Sequence, residues 1–127
     1  MPYQFRKHYT REEARGLLPR IRLWLNRLHE LRHLLADPDP ELSRLTAKGH
    51  DLGGERVNRR VGLLAELQEL VSEFQSREIQ IKDLERGLVD FPAILAGKEV
   101  FLCWEQGEED VEYWHELDAG FAGRAPL

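Results

Sequence analysis

Apolar residues recur along the first third of the chain at alternating spacings of three and four: Ala14, Leu17, Ile21, Trp24, Leu28, Leu31 and Leu35. That spacing puts them on one side of a helix as an a/d seam over three heptads. Thr10 opens the helix with Glu13 three residues on, the pattern of a capping box. Pro19 lies inside the pattern, lacks a donor and crowds the carbonyl of Arg15, so a kink or break is expected near Gly16 to Pro19. Asp37-Pro38-Asp39-Pro40 ends the helix near Ala36, because each proline pushes the preceding residue out of helical geometry. Residues 37–54, with Gly49, Gly53 and Gly54, read as a connection with room for one helical turn after Asp39-Pro40.

A second stripe, Leu64, Leu67, Val71, Phe74 and Ile81 with Val57, Val61, Leu63 and Leu70 beside it, predicts helix two from 55 to about 81. Beyond it the period becomes two. Gly87 to Ile94 and Glu99 to Glu105 flank the turn signal Gly97-Lys98, and Val100 to Trp104 is apolar at every position, as in a strand covered on both faces. A second turn at Gln106-Gly107-Glu108 leads to Val111, Tyr113 and His115. Gly87, Gly107, Gly120 and Gly123 read as turn glycines at positive φ. Tyr3 to Tyr9 alternates like an edge strand, and the tail 120–124 reads as an ordered loop. The expected fold is α+β: a long antiparallel, coiled-coil-like helical hairpin followed by an antiparallel sheet of about three strands. It is one domain over 1–127, with 1–36 the amino-terminal segment and helix one, 37–54 the loop, 55–82 helix two and 83–127 the sheet and tail. A small sheet cannot cover two such wide apolar faces, which predicts a homodimer or higher oligomer through the helices.

Length and composition agree: 127 residues at 42% hydrophobic content suit one compact domain. One Cys cannot form an internal disulfide, and the opening residues lack an apolar run long enough for a signal or a membrane span; both point to the cytoplasm. A net charge of −5 disfavours nucleic acid. The distribution is uneven: residues 1–36 carry eight Lys or Arg against three Glu, while 99–118 carry eight acidic side chains and no Lys or Arg. Packing of one end on the other, or of one subunit on another, is the simplest use of that split.

The loudest motif is His29-Glu30-Leu31-Arg32-His33, which fits H-E-x-x-H, a pair of zinc ligands on one helix face with a Glu to activate water. Its heptad positions face away from the seam, Arg27 and Arg32 put cations beside it, and no third ligand follows, so His29 and His33 read first as a solvated face and no cofactor is implied. The carboxyl third offers a different set: Lys82, Asp90, Cys103, Trp104, Glu108, Trp114, His115 and Arg124. Trp104 and Trp114 are more simply core anchors than stacking platforms. Cys103, among apolar neighbours, reads as an inert packing residue. Asp90 sits in an apolar strand and must be paired, with Lys82 or Arg124 the available cations. Arg124 in turn needs Asp118 or a carboxylate of 105–112.

The runs GLVDFP, KEVFLCWEQGEE and YWHELDAGFAGR, together with the EEARGLLP opening, resemble a widespread family of small bacterial proteins, domain of unknown function 2203. The resemblance implies a helical hairpin with a small sheet and no established activity. Three function classes follow from the residues. The favoured one is a non-enzymatic oligomeric binding or scaffold module with a partner or ligand surface on the carboxyl-terminal sheet. The second is a small-molecule enzyme with His115 as general base or acid, Asp90 or Glu108 orienting it, and Lys82 and Arg124 clamping an anionic group; Lys82, Trp104, Trp114 and Arg124 are the candidate ligand-binding residues. The third is metal binding, through His29 and His33 or through Cys103, His115 and a carboxylate.

Overall fold

The computed structural model describes residues 2–36 and 53–127; the expected connection over 37–54, with its helical turn, falls outside them except for its last two residues, which are already helical. Helix α1 spans Arg11–Ala36 and helix α2 spans Gly53–Ser76. Five strands follow, β1 (Gln80–Asp83), β2 (Leu88–Leu95), β3 (Lys98–Glu105), β4 (Tyr113–Glu116) and β5 (Ala125–Pro126), with a 3₁₀ turn at Phe121–Gly123. They form one antiparallel sheet in the order β1-β2-β3-β4-β5.

The capping box at the start of α1 is made from both sides: the backbone N–H of Glu13 donates to Thr10 Oγ1, and that of Thr10 to Glu13 Oε1, each at 3.1 Å. Pro19 does not break the helix, which is continuous from Arg11 to Ala36. The buried row is Ala14, Leu18, Ile21, Leu25, Leu28 and Leu31; Leu17 and Trp24, expected at its centre, are only partly buried beside it. Helix α1 therefore turns its 18/25 row to the sheet and its 17/24 edge outward, where Trp24 meets Phe74 of α2 at 5.5 Å between ring centroids. Arg27 pairs with Glu66, and Arg60 donates to the Leu35 carbonyl at 2.7 Å. Contacts of 24 with 74, 27 with 66 and 35 with 60 run in opposite order, so the helices lie antiparallel.

Helix α2 ends five residues sooner than expected. Glu78 takes φ 58°, the left-handed conformation that stops a helix, and Ile79 donates back to the Phe74 carbonyl. Ile81, which fits the helical stripe, belongs to β1 instead. That strand and the two-residue β5 enlarge the sheet from the expected three strands to five. Tyr3 to Tyr9 forms no strand. The arm is held by carboxylates: Glu99 accepts the N–H groups of Gln4 and Phe5, Glu78 accepts those of Arg6 and Lys7, and Tyr9 N–H donates to the Pro92 carbonyl at 2.7 Å. Of the four glycines expected at positive φ, Gly87 and Gly107 adopt it, whereas Gly120 has φ −118° and Gly123 is not in that region.

Alternation splits the sheet into two differently used faces. Val89, Phe91, Ala93, Val100, Leu102 and Trp104 point to the helices and form the main core with α1. Leu88, Asp90, Phe101, Cys103 and His115 point the other way, yet all are buried. They are covered by chain termini rather than by a helix: Phe5 of the arm lies 5.4 Å from the Phe101 ring, and the carboxyl-terminal segment closes over Tyr113 with Arg124 and Phe121.

The acidic segment also finds its counter-charge within the fold. Arg15 makes two bonds to Asp110, at 2.8 and 2.7 Å, Arg11 donates to the Val111 carbonyl, and Arg22 to the carbonyls of Glu108 and Glu109. The basic first helix and the acidic carboxyl segment thus pack on each other.

Candidate functional site

Three central strands deliver one side chain each to a single buried spot on the sheet face away from the helices. Asp90 of β2 pairs with Cys103 of β3, and His115 of β4 pairs with Phe101, two residues from Cys103 on the same face. One ligating atom from each of Asp90, Cys103 and His115 lies within 4.8 Å of the others. All three residues are at most 2% exposed.

His115 Nε2 is 3.0 Å from Asp90 Oδ2, and its Nδ1 is 2.7 Å from the backbone carbonyl of Glu116. A carbonyl only accepts, so Nδ1 carries a proton. The remaining proton is then shared between Nε2 and Oδ2, as an imidazolium facing a carboxylate or as a neutral imidazole facing a carboxylic acid. Both ring nitrogens are engaged by oxygens, Nδ1 by the Glu116 carbonyl and Nε2 by Asp90 Oδ2. The arrangement differs from a nucleophile–base–orienter relay, in which one nitrogen must face the nucleophile.

The second oxygen of the carboxylate is the anomaly. Asp90 Oδ1 is buried and has no hydrogen-bond partner. An unsatisfied buried polar atom costs on the order of 1–3 kcal/mol, so it marks a place where stability alone is not served.

Burial pushes the Asp90 carboxyl above the ordinary carboxylate range, against the opposing pull of His115 and Lys82. Burial also pushes the Cys103 thiol up to about 12, the nearby Asp90 charge adding to the effect and Arg124 opposing it. At neutral pH Cys103 is a thiol, not a nucleophilic thiolate.

Around these three lie several of the cations and carboxylates singled out from sequence. Lys82 is exposed, and its ammonium stands 4.9 Å over the Phe101 ring. Arg124 borders Cys103 and is sandwiched between the Tyr113 and Phe121 rings, 3.9 and 4.1 Å from their centroids. Its guanidinium makes two bonds to Glu108, at 3.1 and 2.8 Å. Glu108 is thus the counter-charge expected for Arg124 within the 105–112 stretch, and it also accepts the Glu105 N–H at 2.8 Å. Asp90, not Glu108, is the carboxylate bonded to His115. The partner of Asp90 is His115, with Lys82 contributing only at longer range.

Lys82, Asp90, Cys103, Glu108, His115 and Arg124 share this side of the sheet; the two tryptophans do not. Trp104 is fully buried on the helical side, its indole N–H donating to the Glu108 carbonyl and Arg22 lying over its ring. Trp114 is partly buried against the same core. On α1, His29 is half-buried with Nε2 bonded to the Leu84 carbonyl, and His33 is exposed. Both line a shallow pocket with Arg32 and Glu85, themselves an ion pair at 2.9 Å. Among the described residues, the Asp90, Cys103 and His115 group is the one with three ligating side chains gathered in metal-binding proximity. Cys103, expected from sequence to be a packing residue with metal ligation as the alternative, is a buried thiol beside Asp90. The signal for its place was the turn at Gly97-Lys98: pairing Leu95 with Lys98 fixes Asp90 opposite Cys103.

A family model described as "Uncharacterized conserved protein (DUF2203)" matches residues 7–127. No curated protein and no solved structure matches the chain. Among the described residues no helix is long and apolar enough to cross a membrane.

Proposed function

The chain belongs to the DUF2203 family, and from its own geometry we propose that it is a non-enzymatic, homo-oligomeric binding module that self-associates through its helices and presents a ligand site on its carboxyl-terminal sheet. The observation that carries the reading is an uncovered apolar row on α2. Val57, Val61 and Leu64 follow one another at helical spacing and are 44%, 57% and 49% exposed. Leu23 and Leu34 of α1 are exposed as well. Rows of this kind on a helix are what a second helix covers, and covering them gains roughly 25 cal/mol for each Å² of apolar surface removed from water. Binding rather than catalysis is favoured at the sheet because Cys103 is protonated, both nitrogens of His115 are committed, and Arg124 is held by Glu108.

Sedimentation velocity at roughly ten micromolar chain, the range in which a modest interface is populated, is expected to show a dimer or higher species. The double substitution Val61→Glu with Leu64→Glu is expected to give a folded monomer, since neither side chain is part of the core. A wild-type monomer at that concentration removes the self-association half of the reading.

A further inference from the structure

From the three buried side chains on the far face of the sheet we propose that Asp90, Cys103 and His115 form a binding site for one divalent transition-metal ion of the zinc and cobalt class. The proposal names the ligand of the sheet in the reading above, and it stands whether or not the chain self-associates.

The donor set is the first argument. Imidazole nitrogen, sulfur and carboxylate oxygen together suit a borderline metal such as zinc, whereas magnesium and calcium take oxygen alone. Geometry is the second. Bonds of about 2.0–2.3 Å to a tetrahedral zinc put ligand atoms roughly 3.3–3.8 Å apart, and the three atoms already lie within 4.8 Å of one another. Asp90 and His115, now 3.0 Å apart, need to part by only a few tenths of an ångström, and Cys103 to close by at most about 1.5 Å. The three residues stand on backbones fixed in three adjacent paired strands.

The third argument is the outer shell. A metal-bound histidine commonly donates its other ring N–H to a carbonyl, which fixes the tautomer and aims the free nitrogen. His115 Nδ1 does so to Glu116, leaving Nε2 turned to the cluster. The fourth is the unpartnered Asp90 Oδ1, buried and bordering the same spot. A cation held through both carboxylate oxygens gives it a partner.

Loading balances as follows. The ion takes the place of the proton shared by His115 Nε2 and Asp90 Oδ2, and the Cys103 thiol gives up its proton on forming the metal–sulfur bond. Two protons leave and a dication enters, so the charge of the cluster is unchanged, and the Arg124–Glu108 pair beside it stays neutral as a unit. Three protein ligands leave one tetrahedral position for water or a further donor.

The competing pair, His29 and His33, is built less well: His29 Nε2 is bonded to the Leu84 carbonyl, and Arg32 stands between the two histidines in sequence.

Tag-free protein, stripped by chelator and reduced, is titrated anaerobically with cobalt(II) chloride and then with zinc chloride. The expected result is one cobalt per chain, visible ligand-field bands of tetrahedral cobalt, a near-ultraviolet sulfur-to-cobalt charge-transfer band, and loss of both on adding zinc. Cys103→Ser is expected to abolish the charge-transfer band, and His115→Ala and Asp90→Asn, each altering a direct ligand, to weaken binding by more than the roughly ten- to hundred-fold typical of losing an outer-shell partner. His33→Ala is expected to change nothing. Cys103→Ser is nearly isosteric and keeps the test valid if His115→Ala fails to fold. No cobalt or zinc uptake by folded wild type overturns the proposal while leaving self-association standing. Uptake that survives Cys103→Ser with an unchanged spectrum, or that is lost in His33→Ala, places the ion elsewhere and also overturns it.

Discussion

The two faces of strands β2 and β3 are built from alternate residues of the same eight-residue segments, yet they do different work. Toward the helices stand Val89, Phe91, Val100, Leu102 and Trp104, an apolar set closed by Leu18, Ile21 and Leu25 of α1. On the opposite face stand Leu88, Asp90, Phe101 and Cys103, with His115 of β4 beside them. Both sets are buried. One is covered by a regular helix with a complementary apolar row, the other by an arm and a tail held largely by carboxylate contacts. A minimal sheet packed on two helices leaves its outer face polar and wet. Burying an aspartate and a histidine there, with one carboxylate oxygen unpartnered, is a departure that stability does not reward.

The largest effect belongs to the helical face. Trp104→Ala removes the largest fully buried side chain and is expected to cost about 3–5 kcal/mol. Urea denaturation followed by circular dichroism measures it, and a loss below about 1 kcal/mol would mean that the helices do not supply the main core.

On the other face, His115→Ala leaves Asp90 as an unpaired buried carboxylate and is expected to cost about 3 kcal/mol. The sharper measurement is the double substitution Asp90→Leu with His115→Leu. Buried ion pairs replaced by apolar side chains of similar volume commonly lose nothing, or gain about 1–4 kcal/mol. Recovery in the double variant to wild-type stability or above separates the two faces, one holding the fold and the other holding a site. A double variant as unstable as His115→Ala would make the pair a structural element, and the contrast between the faces would fail.

Much of this contrast is visible in the sequence, and the misses have physical causes. Helix α1 and its cap are legible because a side chain every third or fourth position and a Thr-x-x-Glu pair are local signals. The central strands are legible because Val100 to Trp104 is too short for a buried helix and lies after a Gly turn. Strand β1 is hidden because Ile81 also continues the stripe of α2; what ends that helix is the left-handed backbone of Glu78, a residue with no sequence preference for it. The pairing of Asp90 with His115 is hidden for another reason. It joins β2 to β4 across β3, and which strands neighbour one another is a long-range fact that periodicity does not carry. The tryptophans were misleading in the reverse sense: they crowd the same short stretch as His115, but parity puts Trp104 and Trp114 on the opposite face.

Arg124→Ala tests how the far face is closed. The guanidinium is 16% exposed at its side chain, lies between Tyr113 and Phe121, and carries two bonds to Glu108. Its loss strands a partly buried carboxylate and opens the tail, at an expected cost of about 1–3 kcal/mol. Hydrogen exchange at β5 and at Leu127 N–H, which donates to the Glu112 carbonyl, is expected to speed up while α1 stays protected. Uniform loss of protection would mean that the cover and the core unfold as one unit.

The smallest effect lies outside both faces, in the pair Arg27–Glu66 that joins the helices. The bond to Arg27 holds the Glu66 carboxyl below the ordinary carboxylate range. A carboxyl with a depressed folded-state value binds its proton less readily when folded than when unfolded. Its contribution is therefore complete above the ordinary carboxylate value of about 4.3 and is lost as pH falls through that value toward the depressed one. Because Glu66 is partly exposed, salt screens the interaction and the gain is slight. Melting of wild type against Glu66→Gln is expected to differ a little at pH 7 in low salt and to converge in acid or at high salt. Glu66 lies on the helix pair and not on the sheet, so Glu66→Gln should leave cobalt binding unchanged while Asp90→Leu with His115→Leu abolishes it. A Glu66→Gln variant that alters cobalt binding would tie the helix pair to the cluster and collapse the distinction between a scaffold on one side of the sheet and a site on the other.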